Sequence, residues 1–430
     1  MTQRQAFASR MDVRLDARLA TVGVGLVLVA VSFLVYLLSA RQFDAGRGDL
    51  FWLADAFLKG RTWLPGPLGP NDVVYGPAGQ VFVPFAPFPA IVFMPLVALI
   101  GPINADLWEP IINSAIAAAD VGMAMWLAGR AGVRPLADRL WLAILLGFST
   151  QIWWVTTRGG VWHTGHLIAT FLMLAALIEV FGRRRSLLLG LLAGAAFLTR
   201  APLAFAIPFF VLVIPRLEGD SPAQPGSRGW LDPRTWPIEG WVGVAFGVLP
   251  ALALFFWYNE VRFGSILESG YALATLPPWL AAVRAEGLFS ISHLGMNLDY
   301  LFTHLPTPIF AGFSPIPTPP FFRPDGLGLS IFITSPGLLR AIRAPWRDPG
   351  VGPLAVGLAI TSLAVLLPNL LYYGGGWLQF GYRYALDSIP FVLALAAMAT
   401  ARHGFGWPWR LLTMFGVIVG VASVYWAYHL

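Results

Sequence analysis

Cysteine is absent from the chain, which excludes disulfides, thiolate nucleophiles and Cys-ligated metal centres. Charge is scarce as well. Only 12% of residues are Asp, Glu, Lys or Arg, against about 25% in soluble domains. Lysine is nearly missing, since Lys59 is the single exception among 28 basic residues that are otherwise arginine. We read that bias, with its net charge of +6, as codon composition and expect no nucleic-acid partner. No glycine-rich loop for a nucleotide phosphate is present.

What fills the chain instead is hydrophobic sequence, 57% of all residues. Apolar runs at 19–40, 107–128 and 411–428 match the ~30 Å hydrocarbon thickness of a bilayer, and the 18 Trp and 11 Tyr suit interfacial anchoring. Arg4, Arg10, Arg14 and Arg18 before the first run imitate a signal peptide. The run is long and lacks a small-residue cleavage site before Arg41, so a retained first helix is expected. Further spans are expected at 140–155, 167–181, 187–198, 202–214, 242–257, 327–339, 354–371 and 385–400, making eleven. One more stretch, 91–103, is short and holds Pro95. If it does not cross, 18 basic residues share the N-terminal side and ten lie opposite; if it crosses, the count inverts. The positive-inside tendency favours eleven crossings, an inner N-terminus, an outer C-terminus and a surface or re-entrant helix at 91–103.

The expected fold class is therefore all-α: one polytopic transmembrane bundle over 1–430, in the cell membrane, with two outer loops, 41–106 and 259–326, that carry short membrane-surface helices. Both loops are rich in Pro, Gly and aromatic residues, and their hydrophobicity predicts that they fold onto the membrane face and roof a cavity.

Candidate site residues gather at that outer face. The apolar segments flanking Arg200 are too short to span straight, so they predict a hairpin whose tip holds Arg200 below the surface, where an ionisable group is by default functional. Arg383 and Tyr384 open the 385–400 span after the glycines 374–376, and a guanidinium there suits a phosphate. Asp387, one turn into the same helix, is within i, i+4 reach of Arg383, and a plain pairing of the two is the alternative to a functional role. Arg158, His163 and His166 are placed in a short outer loop. Two histidines without a carboxylate make a weak metal site, so contact with substrate is preferred. Asp49 begins a helically spaced segment that is expected to lie on the membrane, either as its N-cap or as a general base. Asn113, Asp120 and Glu179 read as packing groups within spans.

In this order the motifs resemble the GT-C glycosyltransferases that use polyprenyl-phosphate sugars, including the protein O-mannosyltransferase and lipid A aminoarabinose transferase groups. The likeness lies in the single first span, the acidic start and glycine end of residues 49–60, the stretch with Tyr75, Pro77, Pro84, Pro87 and Pro89, and the surface helix ending in Gly101. It continues through Phe197, Leu198, Thr199, Arg200, then Tyr258, Asn259, Arg262, Phe263, Gly264, and Arg383, Tyr384 before Pro390. The resemblance implies that Asp49, with Asp44 second, is the catalytic base and that Arg200 binds the lipid phosphate. Many relatives have a second acid where this chain has His163 and His166, and a Lys or His where it has Gly76.

The implied activity is inverting transfer of a sugar from a lipid-linked donor to a hydroxyl of a glycan, lipid or protein. Asp49 takes the proton while Arg200 and Arg383 hold the departing phosphate, and no cofactor is required. A transporter or flippase for lipid-linked saccharides is the competing class, although no repeat relates the two halves.

Overall fold

The computed structural model describes residues 3–40, 48–66, 72–213, 237–313, 315–324, 326–376 and 378–429. In chain order the first helices are α1 (Gln3–Ser39), α2 (Asp49–Leu58), α3 (Phe88–Ile100), α4 (Ala105–Arg130), α5 (Leu136–Phe148), α6 (Ile152–Arg158), α7 (Val161–Val180), α8 (Ser186–Phe197), α9 (Ile207–Leu212) and α10 (Ile238–Phe263). They continue with α11 (Pro278–Arg284), α12 (Leu294–Leu298), α13 (Ile331–Thr334), α14 (Gly352–Leu371), α15 (Ile389–His403) and α16 (Trp407–Ala427). Among the described residues the only strands are two antiparallel pairs, β1 (Val74–Tyr75) with β2 (Val81–Phe82) and β3 (Thr307–Phe310) with β4 (Pro317–Arg323).

The chain is a membrane-embedded helical protein. Six helices among the described residues, α4 with the turn before it included, are long and apolar enough to cross a bilayer, and α5 with α6 makes a seventh if their 44° bend lies within one span. The rest of the expected eleven are shorter. α8 has 12 residues, about 18 Å at 1.5 Å per residue. The segment after Arg200 is a 3-10 turn, Ala201–Ala206, running into α9. The run 327–339 is not one helix: α13 stops at Thr334, and a 3-10 turn spans Pro336–Arg343. Pro336 explains the break, because it disfavours helical backbone at Ser335 and offers no N–H.

α8 and the segment after it pack as a hairpin against α10. The approach to α10 is close because glycines line it: a Cβ on Gly190 would meet the Val244 carbonyl, and one on Gly247 would meet the Leu187 carbonyl at 2.5 Å. Small residues let helix backbones approach in a membrane, where dispersion and not hydrophobicity holds helices together. Centrally, α15 packs on α4, α5, α7 and α14, and every residue from Ile389 to Thr400 is buried except Val392.

The described parts of segments 41–106 and 259–326 are tied to each other by hydrogen bonds, with Arg262 joining from the end of α10. The N–H of Thr275 donates to the Val73 carbonyl, that of Asp72 to Thr275, and Arg262 Nη1 to Val83. Two expectations change here. α10 runs on to Phe263 and caps at Gly264, so Asn259 and Arg262 are helical, not loop. α2 does not lie with one face free, because seven of its ten residues are buried, with Phe51 against Phe93 of α3 at 5.3 Å. α3 buries Pro89, Ala90, Phe93 and Val97, a stripe along one side of the helix.

Candidate functional site

Arg200 sits where the α8 hairpin turns, and Asp387 ends a 3-10 turn, Arg383–Asp387, that leads into α15. The two meet: Arg200 Nε donates to Asp387 Oδ1 at 2.5 Å. Asn369 Nδ2 donates to the other oxygen at 3.0 Å, and His166 Nδ1 lies 3.3 Å from Oδ1 without the alignment of a hydrogen bond. Asp387 therefore does not serve Arg383 as an i, i+4 partner. The turn is 3-10, whose period brings i and i+3 into line, and the carboxylate is drawn to the cation on another element.

Tyr384 is the pivot. The guanidinium carbons of Arg200 and Arg383 lie 5.5 Å and 5.2 Å from its ring centroid. The His166 ring is 5.9 Å away, and the phenol hydroxyl donates to the Gly374 carbonyl at 2.9 Å. Two cations thus share one ring, and the buried carboxylate of Asp387 pairs with the first of them, Arg200. Asp387 engages Arg200 through Nε, and among the described residues Nη1 and Nη2 of Arg200 make no hydrogen bond, which leaves a fork suited to two phosphate oxygens.

His163 and His166 are not in a loop. The loop is Gly159 and Gly160 alone, and both histidines stand in the first turns of α7, with Arg158 the last residue of α6. Glycine backbone in unusual conformations ends one helix and starts the next within two residues. His163 lies in the field of Arg383 and Arg158. Among the described residues Nε2 of His163 and both ring nitrogens of His166 have no hydrogen-bond partner, although both side chains are buried. No three His, Asp or Glu side chains among the described residues converge as a metal site.

Asp49 is buried and is the first residue of α2, not its N-cap; Gly48 holds that place. Gly48 has φ 53°, and a Cβ there would lie 2.7 Å from that of Ala105, so the glycine lets α2 start against the first turn of α4. The contact brings Asp49 near Glu109, one turn further along α4, whose carboxylate senses its charge. Glu109 Oε1 accepts from the Gly160 N–H at 2.9 Å and from Thr164 Oγ1 at 3.3 Å. An acid thus faces the start of α7 from a neighbouring helix. Sequence reasoning misses Glu109 because it treats 107–128 as plain span; the available signal is a carboxylate at the end of an apolar run beside Pro110. Tyr271, which interacts electrostatically with Arg200 and Tyr384, is missed too. Tyr75 stands more than half exposed on β1, and Asp44 lies outside the described residues.

A cleft of about 600 Å³ opens between α2, α3 and α10, walled by Phe57, Trp63, Phe82, Met94, Trp257 and Tyr258. It does not contain the arginine cluster. Pro87, also in its wall, precedes Phe88, whose N–H donates to the carbonyl of Leu198, two residues before Arg200. Compared with protein-family models, with curated proteins and with solved structures, the chain matches none.

Proposed function

We propose that the chain is a membrane glycosyltransferase of the GT-C type that moves a sugar from a polyprenyl-phosphate donor to an acceptor hydroxyl. The observation that carries the reading is the pair of guanidiniums, Arg200 and Arg383, around Tyr384, with the buried carboxylate of Asp387 holding Arg200 by Nε alone. Two guanidiniums on one ring, the Nη fork of Arg200 unbonded among the described residues, suit an anion, and the anion that develops in this reaction is the departing lipid phosphate. Arg200 offers its free fork; Asp387 and Asn369 fix the guanidinium that bears it.

Attack by the acceptor oxygen on the anomeric carbon forms the new glycosidic bond as the bond to the phosphate oxygen breaks with both its electrons. The hydroxyl proton passes to Asp49, and Glu109 beside it takes the place of the second acid that relatives carry. Attack opposite to the phosphate inverts the anomeric centre. The apolar cleft next to Phe88 suits an isoprenoid chain. No nucleotide loop is needed for a donor that arrives through the bilayer.

The reading includes eleven crossings and an extracytoplasmic site in the cell membrane. Glu286 and Arg347 are exposed, and the native chain has no cysteine. In sealed cells an impermeant maleimide should label Glu286→Cys and not Arg347→Cys; the reverse pattern puts the site on the other side. The activity is tested by incubating the purified chain in liposomes with a polyprenyl-phosphate sugar and envelope extract, and following release of polyprenyl phosphate. Movement of the intact donor across the bilayer without release would favour a flippase.

A further inference from the structure

The ribbon made by β3 and β4 is unlike an ordinary exposed hairpin. Its register pairs Thr307 with Arg323, Pro308 with Phe322 and Phe310 with Pro317. Phe310, Phe313, Ile316, Phe321 and Phe322 are all at least 46% exposed, and Phe313 is fully so. Between His304 and Arg323 the sequence carries no charged residue. A two-stranded ribbon in water is normally guarded at its open edges by charge, and an apolar one invites edge pairing.

Prolines occupy the edge instead. Three of the seven residues of β4 are proline, at 317, 319 and 320, as is Pro308 of β3. Proline removes an N–H donor. Proline at a strand edge blocks pairing with another strand, so the ribbon is guarded without charge and its aromatic surface stays open to the surroundings. Polarity is also graded along it. The base carries Arg323 and the His304–Asp299 pair, with Nδ1 and Oδ2 2.8 Å apart, while the aromatic residues lie beyond. The base is fixed by Ser330, whose N–H donates to His304 and whose hydroxyl donates to Phe302. Phe302 stacks on Phe332 at 5.7 Å, and Phe332 is itself half exposed, so the apolar surface of the ribbon continues onto α13.

We propose that the ribbon of β3 and β4 lies in the membrane interface, with the side chains of Phe310, Phe313, Phe321 and Phe322 reaching the headgroup–acyl boundary and Arg323 at the lipid phosphates. Its role is to hold segment 259–326 against the membrane. The inference is independent of the enzymatic reading.

The cysteine-free chain permits a direct test. Single cysteines at Phe313, Phe322 and, as an aqueous control, Glu286 are labelled with a small environment-sensitive fluorophore in the full-length protein. The proteins are placed in vesicles of zwitterionic and anionic phospholipid. Nitroxide on the acyl chains should remove most of the emission at 313 and 322 and little at 286, and aqueous iodide should do the opposite. Quenching of both ribbon labels by iodide would overturn the proposal in favour of a hydrated ribbon. Protection from both quenchers would overturn it in favour of a protein contact. Should a labelled variant fail to fold, Phe321→Trp serves in its place: added quenching by brominated lipid supports immersion, and its absence overturns it.

Discussion

Asp387 grips Arg200 by Nε and not by the terminal fork. This arrangement separates holding the cation from using it. A buried pair whose cation spent both Nη atoms on the carboxylate would be closed, whereas here the carboxylate orients and the fork remains for a ligand. Burial makes the pair consequential, since breaking one side leaves an uncompensated charge.

Arg200→Ala should therefore do two things at once: weaken donor binding and destabilise the protein, by ~3–5 kcal/mol for a broken buried pair. The double variant Arg200→Ala, Asp387→Ala should regain much of the stability and none of the binding. Thermal unfolding in detergent alongside a binding assay separates the two effects. Destabilisation of the double variant by the sum of the Arg200→Ala and Asp387→Ala effects would show that the pair is not coupled. Arg200→Lys should keep part of the binding, because charge persists while the fork is lost.

For Asp49 the expected outcome of Asp49→Asn is a fall in turnover of ~10²–10⁴-fold, the usual worth of a general base, with stability near normal because Gly48 and not Asp49 caps α2. Glu109→Gln keeps the acceptor oxygen for the Gly160 N–H and should slow turnover less. Steady-state rates of phosphate-lipid release measure both. A stronger effect from Glu109→Gln would make Glu109 the base and Asp49 its neighbour.

The hairpin that presents Arg200 depends on glycine contacts. Gly190→Val places a side chain against the Val244 carbonyl, a backbone atom that cannot step aside. Overpacking of this kind costs ~1–3 kcal/mol, and the apparent melting temperature should drop while Gly23→Val, with open space around it, changes little. Equal behaviour of the two would mean that α8 does not rest on α10 as described.

Much of this site is legible in the sequence, for identifiable reasons. Arg200 stands out because short apolar flanks leave a charge at depth, a one-dimensional signal. Arg383, Tyr384, His163 and His166 are marked by their place at span ends. The convergence of Arg200, Arg383 and His166 on the Tyr384 ring is not legible, since it depends on how α7, α15 and the α8 hairpin pack. Asp387 points to the nearest cation in sequence because only i, i+3 and i, i+4 neighbours are visible there; its real partner is 187 residues away. The histidines look like loop because the helix start rests on Gly159 and Gly160, whose backbone freedom resets the chain within two residues. Helix lengths are the least legible feature. Apolar runs at 187–198 and 327–339 are equally hydrophobic whether they form a short helix, a 3-10 turn or a span, and Pro336 is the one local sign of a break.

Recognition of a lipid phosphate by the guanidiniums of Arg200 and Arg383 is most sharply tested by comparing two ligands, a polyprenyl phosphate and the same polyprenol lacking the phosphate. Binding of each is measured on the purified chain and on Arg383→Ala. Charge-assisted hydrogen bonds contribute ~1.5–3 kcal/mol each, so the phosphate should bind about 10- to 100-fold more tightly than the alcohol. Arg383→Ala should lose most of that difference while binding the alcohol as before. Equal affinity for phosphate and alcohol in the unaltered chain would rule out phosphate recognition by this cluster, and with it the proposed role of Arg200 and Arg383.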